Sequence, residues 1–308
     1  MLQNLNTHYG YAKPVIIAAV INCSFKEAIL LSYRHAYHAG NFADVLKHSV
    51  LAYVLNYMNR KDKGYSYIDS HSGAGMYTLK DEYAQKTGEY KDGIEKLYQL
   101  DELPEILADY TALIKAINNE QSLDLYPGSP GIAKQLMRRQ DIAHLFELHS
   151  TDVALLESYC ARWRKARVHH RDGYQGLLDL LPTPTRRGVV LMDPPFELKE
   201  DYLKSVNTLI KSYRKFATGT YLLWYPVVKR ENVDAMEQAF CQSSVKNVLQ
   251  LEYCQKPDSD AYGMTGTGLF IINPPWQLLS QAKDLLTCMK EHLGTSESSY
   301  RAKQLIDE

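Results

Sequence analysis

Two hydrophobic periodicities alternate along the chain. Short apolar runs ending in small or acidic residues are separated by longer segments of helical spacing, the pattern of a largely parallel α/β sheet. Seven runs read as strands: Tyr65–Ile68, Ile142–Phe146, Ala166–His169, Gly188–Met192, Thr220–Trp224, Val248–Tyr253 and Gly268–Ile272. The first four lead into Asp69, Glu147, Asp172 and Asp193, and the last three meet no such carboxylate. Open α/β sheets bind ligands beyond the carboxyl ends of their strands, so one sheet edge is the expected site.

Asp69 and Glu147 lie 78 positions apart, too far for a simple strand–helix–strand unit, so a segment is inserted between the first two strands. Residues 77–125 are rich in Glu, Lys, Leu and Tyr. Ile94, Leu97 and Tyr98, then Leu107, Tyr110, Leu113 and Ile114, fall at helical spacing. This predicts a small inserted helical subdomain closing at Tyr126-Pro127-Gly128-Ser129-Pro130, with the α/β core formed by 31–76 and 126–308. The tail after about Thr287 reads as a polar helix with a frayed end.

Of 308 residues, 45% are hydrophobic and 23% charged, which excludes a disordered or fibrous chain. The formal charge of −1 leaves no excess of Lys and Arg, so a polyanion would have to meet a local basic face. Arg162, Arg164, Lys165, Arg167 and Arg171, with His169 and His170, form one such stretch, which reads either as a phosphate grip or as a solvated face. Five scattered cysteines without a CxxC pair fit a reducing cytoplasm. The apolar run Val15–Ile21 is too short to span a membrane and makes only a poor secretion signal. Residues 1–30 therefore read as an N-terminal extension or an upstream start. His35 and His38 lack the further ligands of a metal site, and no metal is expected.

Two stretches carry candidate chemistry. Asp69-Ser70-His71-Ser72-Gly73-Ala74-Gly75 follows a strand, and its small residues let the backbone turn sharply and approach a ligand. Alone it could be a structural turn. With Glu147 placed to accept two ribose hydroxyls and Asp172-Gly173 able to reach an adenine amine, it fits a nucleoside-shaped ligand. Asp193-Pro194-Pro195-Phe196 ends the fourth strand in a corner offering only acceptors beside a flat ring, suited to a planar group bearing an NH₂. Asn273-Pro274-Pro275-Trp276 repeats the pattern, but an Asn cannot steady a developing positive charge, and it reads as a structural turn.

With Leu31-Ser32-Tyr33-Arg34-His35, Ala39-Gly40-Asn41, Ala43-Asp44-Val45-Leu46-Lys47-His48, Thr87-Gly88-Glu89-Tyr90 and Trp224-Tyr225-Pro226-Val227-Val228, these motifs make the chain resemble the J-type bacterial 23S rRNA adenine-N6 methyltransferases over residues 31–276. The resemblance implies a class I Rossmann-like fold with a seven-stranded, mostly parallel sheet. It implies methylation of the N6 amine of one adenine in 23S rRNA, adenine 2030 in the family, by S-adenosylmethionine with S-adenosylhomocysteine as product. By motif, Lys47, His48, His71, Gly73, Gly75, Ser129, Glu147, Asp172, Gly173 and Asp193 would bind the cofactor. Asp193, Pro194 and Phe196 would hold the amine, and Tyr33 and His35 would touch the RNA. Phe196 stands where the family commonly has Tyr, which keeps the stacking face and loses a hydroxyl. The partner would be 23S rRNA, free or in an assembly intermediate, and the protein a cytoplasmic monomer. A DNA adenine-N6 methyltransferase and a non-catalytic RNA-binding assembly factor are the alternative readings.

Overall fold

The computed structural model describes residues 38–259 and 263–308. The N-terminal extension, the run Val15–Ile21 and the tail residues Tyr33 and His35 lie outside the described residues. All seven expected runs are strands of one sheet. They are β1 (Ser66–Asp69), β4 (Ile142–Glu147), β5 (Ala166–His170), β6 (Gly188–Met192), β7 (Thr220–Val227), β8 (Val248–Cys254) and β9 (Gly266–Ile272). β2 (Met76–Thr78) and β3 (Leu125–Pro127) pair as a separate antiparallel ribbon at the two ends of the insert. The main sheet has eight strands rather than seven, the eighth being β10 (Ser299–Ile306), in the order β10-β8-β9-β7-β6-β1-β4-β5.

The eighth strand, β10 (Ser299–Ile306), corrects the reading of the tail as a helix. α10 (Leu278–Leu293) does extend past Thr287, but the chain then turns and pairs antiparallel with β8. Ser-Tyr-Arg-Ala-Lys-Gln-Leu-Ile carries little hydrophobic alternation because it is an edge strand, and edge strands hold charge to discourage further pairing. Its specificity comes from elsewhere in the chain instead, from Arg301 to Glu252 of β8 at 3.0 Å and Lys303 to Glu237 of a helix packed on the sheet at 2.9 Å. Such long-range pairs leave no local signature.

β1 pairs in parallel with both β4 and β6, and the chain steps from β1 to β4 to β5 on one side before crossing to β6 and β7 on the other. The strand order reverses at the β1/β6 junction, and a crevice opens there at the carboxyl ends. β9 is antiparallel to both β7 and β8, so it ends at the opposite edge of the sheet.

One face of the sheet is covered by α1 (Phe42–Asn59), α5 (Ser129–Leu136), α6 (Ser150–Cys160) and α10, together with the insert. The other carries α7 (Gly173–Leu180), α8 (Lys199–Lys215) and α9 (Arg230–Cys241). α1 is buried nearly all round because the insert packs over the side that the sheet does not cover, and Val45, Leu46, Val50, Leu51, Val54 and Leu55 are fully buried. Each such side chain contributes about 1.5–3 kcal/mol of transfer free energy. The insert is helical as expected, with α2 (Glu82–Thr87), a 3₁₀ turn over Glu89–Asp92, α3 (Ile94–Tyr98) and α4 (Glu105–Ile117). Its Ile94, Leu97, Leu107, Tyr110 and Ile114 join the same hydrophobic cluster as α1.

Candidate active site

The two chemistry-bearing stretches begin side by side. Asp69 is in register with Leu191, and the next residue ties across, the Ser70 amide donating to the Leu191 carbonyl at 3.0 Å. The glycine bend and the Asp-Pro-Pro corner therefore leave adjacent strands into one crevice. Gly73 and Gly75 have φ of +61° and +83°, a left-handed conformation that a Cβ would strain. Gly173 is required for a different reason: a Cβ there would lie 1.7 Å from the Ser70 carbonyl oxygen, so the start of α7 rests directly on the loop after β1.

Carboxylates hold this loop. The Gly73 amide donates to Glu147 Oε2 and the His149 amide to Oε1, both at 2.7 Å. Burial pushes the Glu147 carboxyl above its ordinary value, against the pull of those amides. Asp69 is wholly buried and accepts from Ser129 Oγ at 2.6 Å and Tyr67 Oη at 2.8 Å. Burial raises its pKa to about 6, with the charge of Asp193 adding to the shift. His71 packs edge-on against Tyr174, and burial lowers its pKa to about 4, so its ring is neutral at pH 7. Asp172 caps α7, accepting from the Gln175 amide at 3.0 Å.

On α1, Asp44, Lys47 and His48 share one face by the i, i+3, i+4 rule, and all three are buried. Lys47 Nζ donates to Asp193 Oδ2 at 2.5 Å and lies 2.9 Å from Asp44 Oδ1. The ammonium is thus shared between two carboxylates and sits 5.6 Å from the centroid of the Trp224 ring. His48 is buried, and its Nδ1 is 2.8 Å from Tyr126 Oη, which in turn meets Tyr110 Oη at 2.7 Å. Tyr126 begins the run to Ser129, so this buried chain connects α1 to the residue that holds Asp69.

Beyond Asp193, no donor among the described residues takes the Pro194 carbonyl. Phe196 has φ +48°, an unusual conformation for an aromatic residue and one that concentrates at functional sites. Its ring tilts against Tyr202 at 4.7 Å and stands edge-on to Trp224 at 5.8 Å. The corner thus presents acceptors beside an aromatic wall with a cation at the back.

Of the sequence-predicted residues, Lys47, His71, Gly73, Gly75, Ser129, Glu147, Asp172, Gly173, Asp193, Pro194 and Phe196 all lie at the carboxyl ends of β1, β4, β5 and β6 or on the elements packed over them. The sequence reading gives no role to Asp44, Tyr67 or Trp224, and takes Asp69 only as the strand-end acid that opens the glycine bend. The Asp44-x-x-Lys47-His48 spacing could have flagged the first, since two opposite charges and an imidazole on one helical face point to a shared partner. Trp224 gives no local signal. The second Pro-Pro corner is structural, as expected. β9 runs backwards, so Asn273 sits beside the start of β7, where its amide donates to the Ala217 and Gly219 carbonyls at 2.8 and 2.7 Å. A cavity of about 420 Å³ opens at the carboxyl end of β8, but Arg230, Glu252, Asp258 and Arg301 around it are paired with one another. Among the described residues no three His, Cys, Asp or Glu side chains group as a metal site, and no helix is long and apolar enough to cross a membrane.

The crevice fits a nucleoside-bearing cofactor with a positive centre. The bend is packed tightly on Tyr77 and Tyr159 and so holds its main chain in one place, the acceptors Glu147 and Asp172 stand at the next two strand ends, and the buried acid Asp69 feels the charge of Asp193. Comparison with known proteins agrees. Residues 62–306 match the family described as Ribosomal RNA large subunit methyltransferase D, RlmJ. The chain is 45% identical over 264 residues to Ribosomal RNA large subunit methyltransferase J of Escherichia coli K12, covering 86% of this chain and 94% of that one. It is 43% identical over 265 residues to the protein of the same name from Haemophilus influenzae, with the same coverage. The crystal structure of protein LPL1258 from Legionella pneumophila superposes with a TM-score of 0.81 at 38% identity, covering 87% of this chain and 98% of that one.

Proposed function

This chain belongs to the ribosomal RNA large subunit methyltransferase family whose model it matches, and from that premise we propose that it methylates the N6 amine of one adenine in 23S rRNA, the nucleotide being adenine 2030. The observation that carries the reading is the pairing of Asp69 with Leu191, which starts the glycine bend and the Asp193 corner from neighbouring strands of one crevice. S-Adenosylmethionine, held by the residues of this crevice, would supply a methyl carbon on a cationic sulfur. Glu147 would take its ribose hydroxyls and Asp172 its adenine amine, each from the end of the next strand. His71, neutral, adds surface without a competing positive charge.

The N6 lone pair of adenine is delocalised into the ring, so the protein's task is to localise and aim it. The Asp193 carboxylate and the Pro194 carbonyl accept the two amine hydrogens, drawing the nitrogen towards sp³. Phe196, braced by Tyr202 and Trp224, stacks on a base turned out of its helix. Positive charge that builds on nitrogen is stabilised by Asp193. A carboxylate is far too weak a base to strip a neutral aromatic amine, so the proton leaves with or after the methyl transfer. Lys47 holds Asp193 Oδ2 and leaves the other carboxylate oxygen for the amine, which fixes the direction from which the amine is approached. The substrate is free rRNA or an assembly intermediate, met by a monomer.

The test is transfer of labelled methyl from S-adenosylmethionine to unmodified 23S rRNA, with duplex DNA as the competing acceptor and nuclease mapping of the product. Label on one adenine N6 of the rRNA supports the reading. Label on DNA alone, or on a ring carbon or ribose, ends it.

A further inference from the structure

The 3₁₀ turn of the insert places a carboxylate on the root of α1. Glu89 accepts from His38 Nδ1, which lies 2.9 and 3.0 Å from its two oxygens, and from Asn41 Nδ2 at 2.9 Å. Asn41 is the N-cap of α1, and its Oδ1 accepts from the Ala43 and Asp44 amides at 2.9 and 3.0 Å. Asp44 then takes the Gly40 amide at 2.9 Å on one oxygen and the Lys47 ammonium at 2.9 Å on the other, and Lys47 reaches Asp193. Five polar contacts thus run without a gap from the surface of the insert to the carboxylate at the chemistry: Glu89 to Asn41, Asn41 to Asp44, Asp44 to Lys47, and Lys47 to Asp193, with His38 at the outer end.

Backbone packing supports the same joint. The Ile94 amide donates to the Gly40 carbonyl at 2.9 Å. A Cβ on Gly93 would lie 2.1 Å from that carbonyl oxygen, and a Cβ on Gly40, whose φ is +79°, would lie 2.8 Å from the Ile94 side chain. The insert and the entry to α1 therefore meet main chain to main chain, which only glycines allow. General packing of α1 needs neither this close approach nor a carboxylate aimed at the cap residue.

We propose that Glu89 is a positioning residue for methyl transfer. Its carboxylate orients the Asn41 side chain, the cap sets the rotation of the first turn of α1, and that turn carries Asp44 and Lys47 to the place from which Lys47 fixes Asp193. The inserted segment thereby takes part in the reaction through the helix entry, without touching cofactor or base itself. The inference rests on the methyltransferase reading above, and its test includes a readout in the free protein that does not depend on turnover.

The experiment compares wild type, Glu89→Ala and Asn41→Ser. The serine keeps an oxygen to cap the helix and removes the amide that Glu89 accepts, so it should fold even if Glu89→Ala does not. In the free protein, carbon NMR of carboxyl-labelled aspartate, with the Asp193 signal assigned by Asp193→Asn, should show that signal moving in either variant. In single-turnover transfer to unmodified 23S rRNA at saturating RNA and cofactor, the rate should fall about tenfold while the cofactor Kd stays within about twofold. In a Lys47→Arg background, where the last contact is already altered, Glu89→Ala or Asn41→Ser should cost less than about twofold more. An unmoved Asp193 signal, a wild-type rate in Asn41→Ser, or a full additional tenfold loss in the Lys47→Arg background would each overturn the proposal. If wild type itself methylates no RNA, the functional reading fails and the NMR result alone decides whether Glu89 positions Asp193.

Discussion

Two corners of this molecule have almost the same sequence and opposite fates. Asp193-Pro194-Pro195-Phe196 and Asn273-Pro274-Pro275-Trp276 both end a buried strand, and both contain a residue with positive φ, Phe196 at +48° and Asn273 at +52°. β6 runs parallel to β1 and delivers its corner to the crevice at the switch point, whereas β9 runs antiparallel to β7 and delivers its corner to the other edge. At the first corner the polar head faces a buried lysine and the ring is braced by two aromatics. At the second the amide is spent on two backbone carbonyls and the Trp276 ring is 78% exposed. A motif supplies groups, and strand direction decides what those groups can meet.

The comparison can be broken most sharply at the polar head. Asp193→Asn keeps the shape and removes the charge, and turnover should fall by about 10²–10³ with cofactor binding retained, measured by labelled methyl transfer beside calorimetric titration. Turnover near wild type would put the chemistry elsewhere. At the ring, Phe196→Ala removes a stacking face, and kcat/KM for rRNA should drop by about 5- to 100-fold, the range expected for one base–aromatic stack. Phe196→Tyr should retain activity within about threefold, because the face is kept.

The reverse swap sharpens the other side. Asn273→Asp replaces an amide that donates to two carbonyls with an acceptor, and should cost about 1–3 kcal/mol by chemical denaturation while leaving the rate per folded molecule unchanged. A gain or loss of specific activity would mean that the far edge takes part.

A pH series separates the corners more gently. Asp69, beside the first corner, is raised to about 6 by burial. A raised acid is ionised less readily in the folded protein, so it favours folding below its ordinary value of 3.8, and that contribution is withdrawn as pH rises through about 6. A cationic cofactor nearby favours the ionised form. Affinity for S-adenosylmethionine should therefore weaken as pH falls from 7 to 5, by at most about tenfold per unit below the pKa, and affinity for S-adenosylhomocysteine, whose sulfur is neutral, should weaken less. Equal slopes for the two ligands would remove Asp69 from the sulfonium's surroundings. The smallest effect belongs to Trp276→Ala, within about 0.5 kcal/mol and without change in rate, since an exposed ring with no packing contributes little.

The sequence by itself determined the seven strand positions, the helical insert, the acidic strand ends and the two corners, because hydrophobic periodicity, glycine and proline act through the local backbone. It also separated the two corners, from the charge of Asp193 and its place in strand order, and the structure puts them at opposite edges of the sheet. What it could not determine was every relation set by non-local pairing. β10 was missed because its partners lie at Glu252 on β8 and Glu237 on α9 rather than in its own pattern. Lys47 was placed near the cofactor by motif, but its reach to Asp193, the support of Phe196 by Trp224, and the reach of Glu89 to the cap of α1 join residues between 28 and 146 positions apart. Contacts at that separation exist only once the sheet order and the packing of the insert have been chosen, and those choices belong to the tertiary structure.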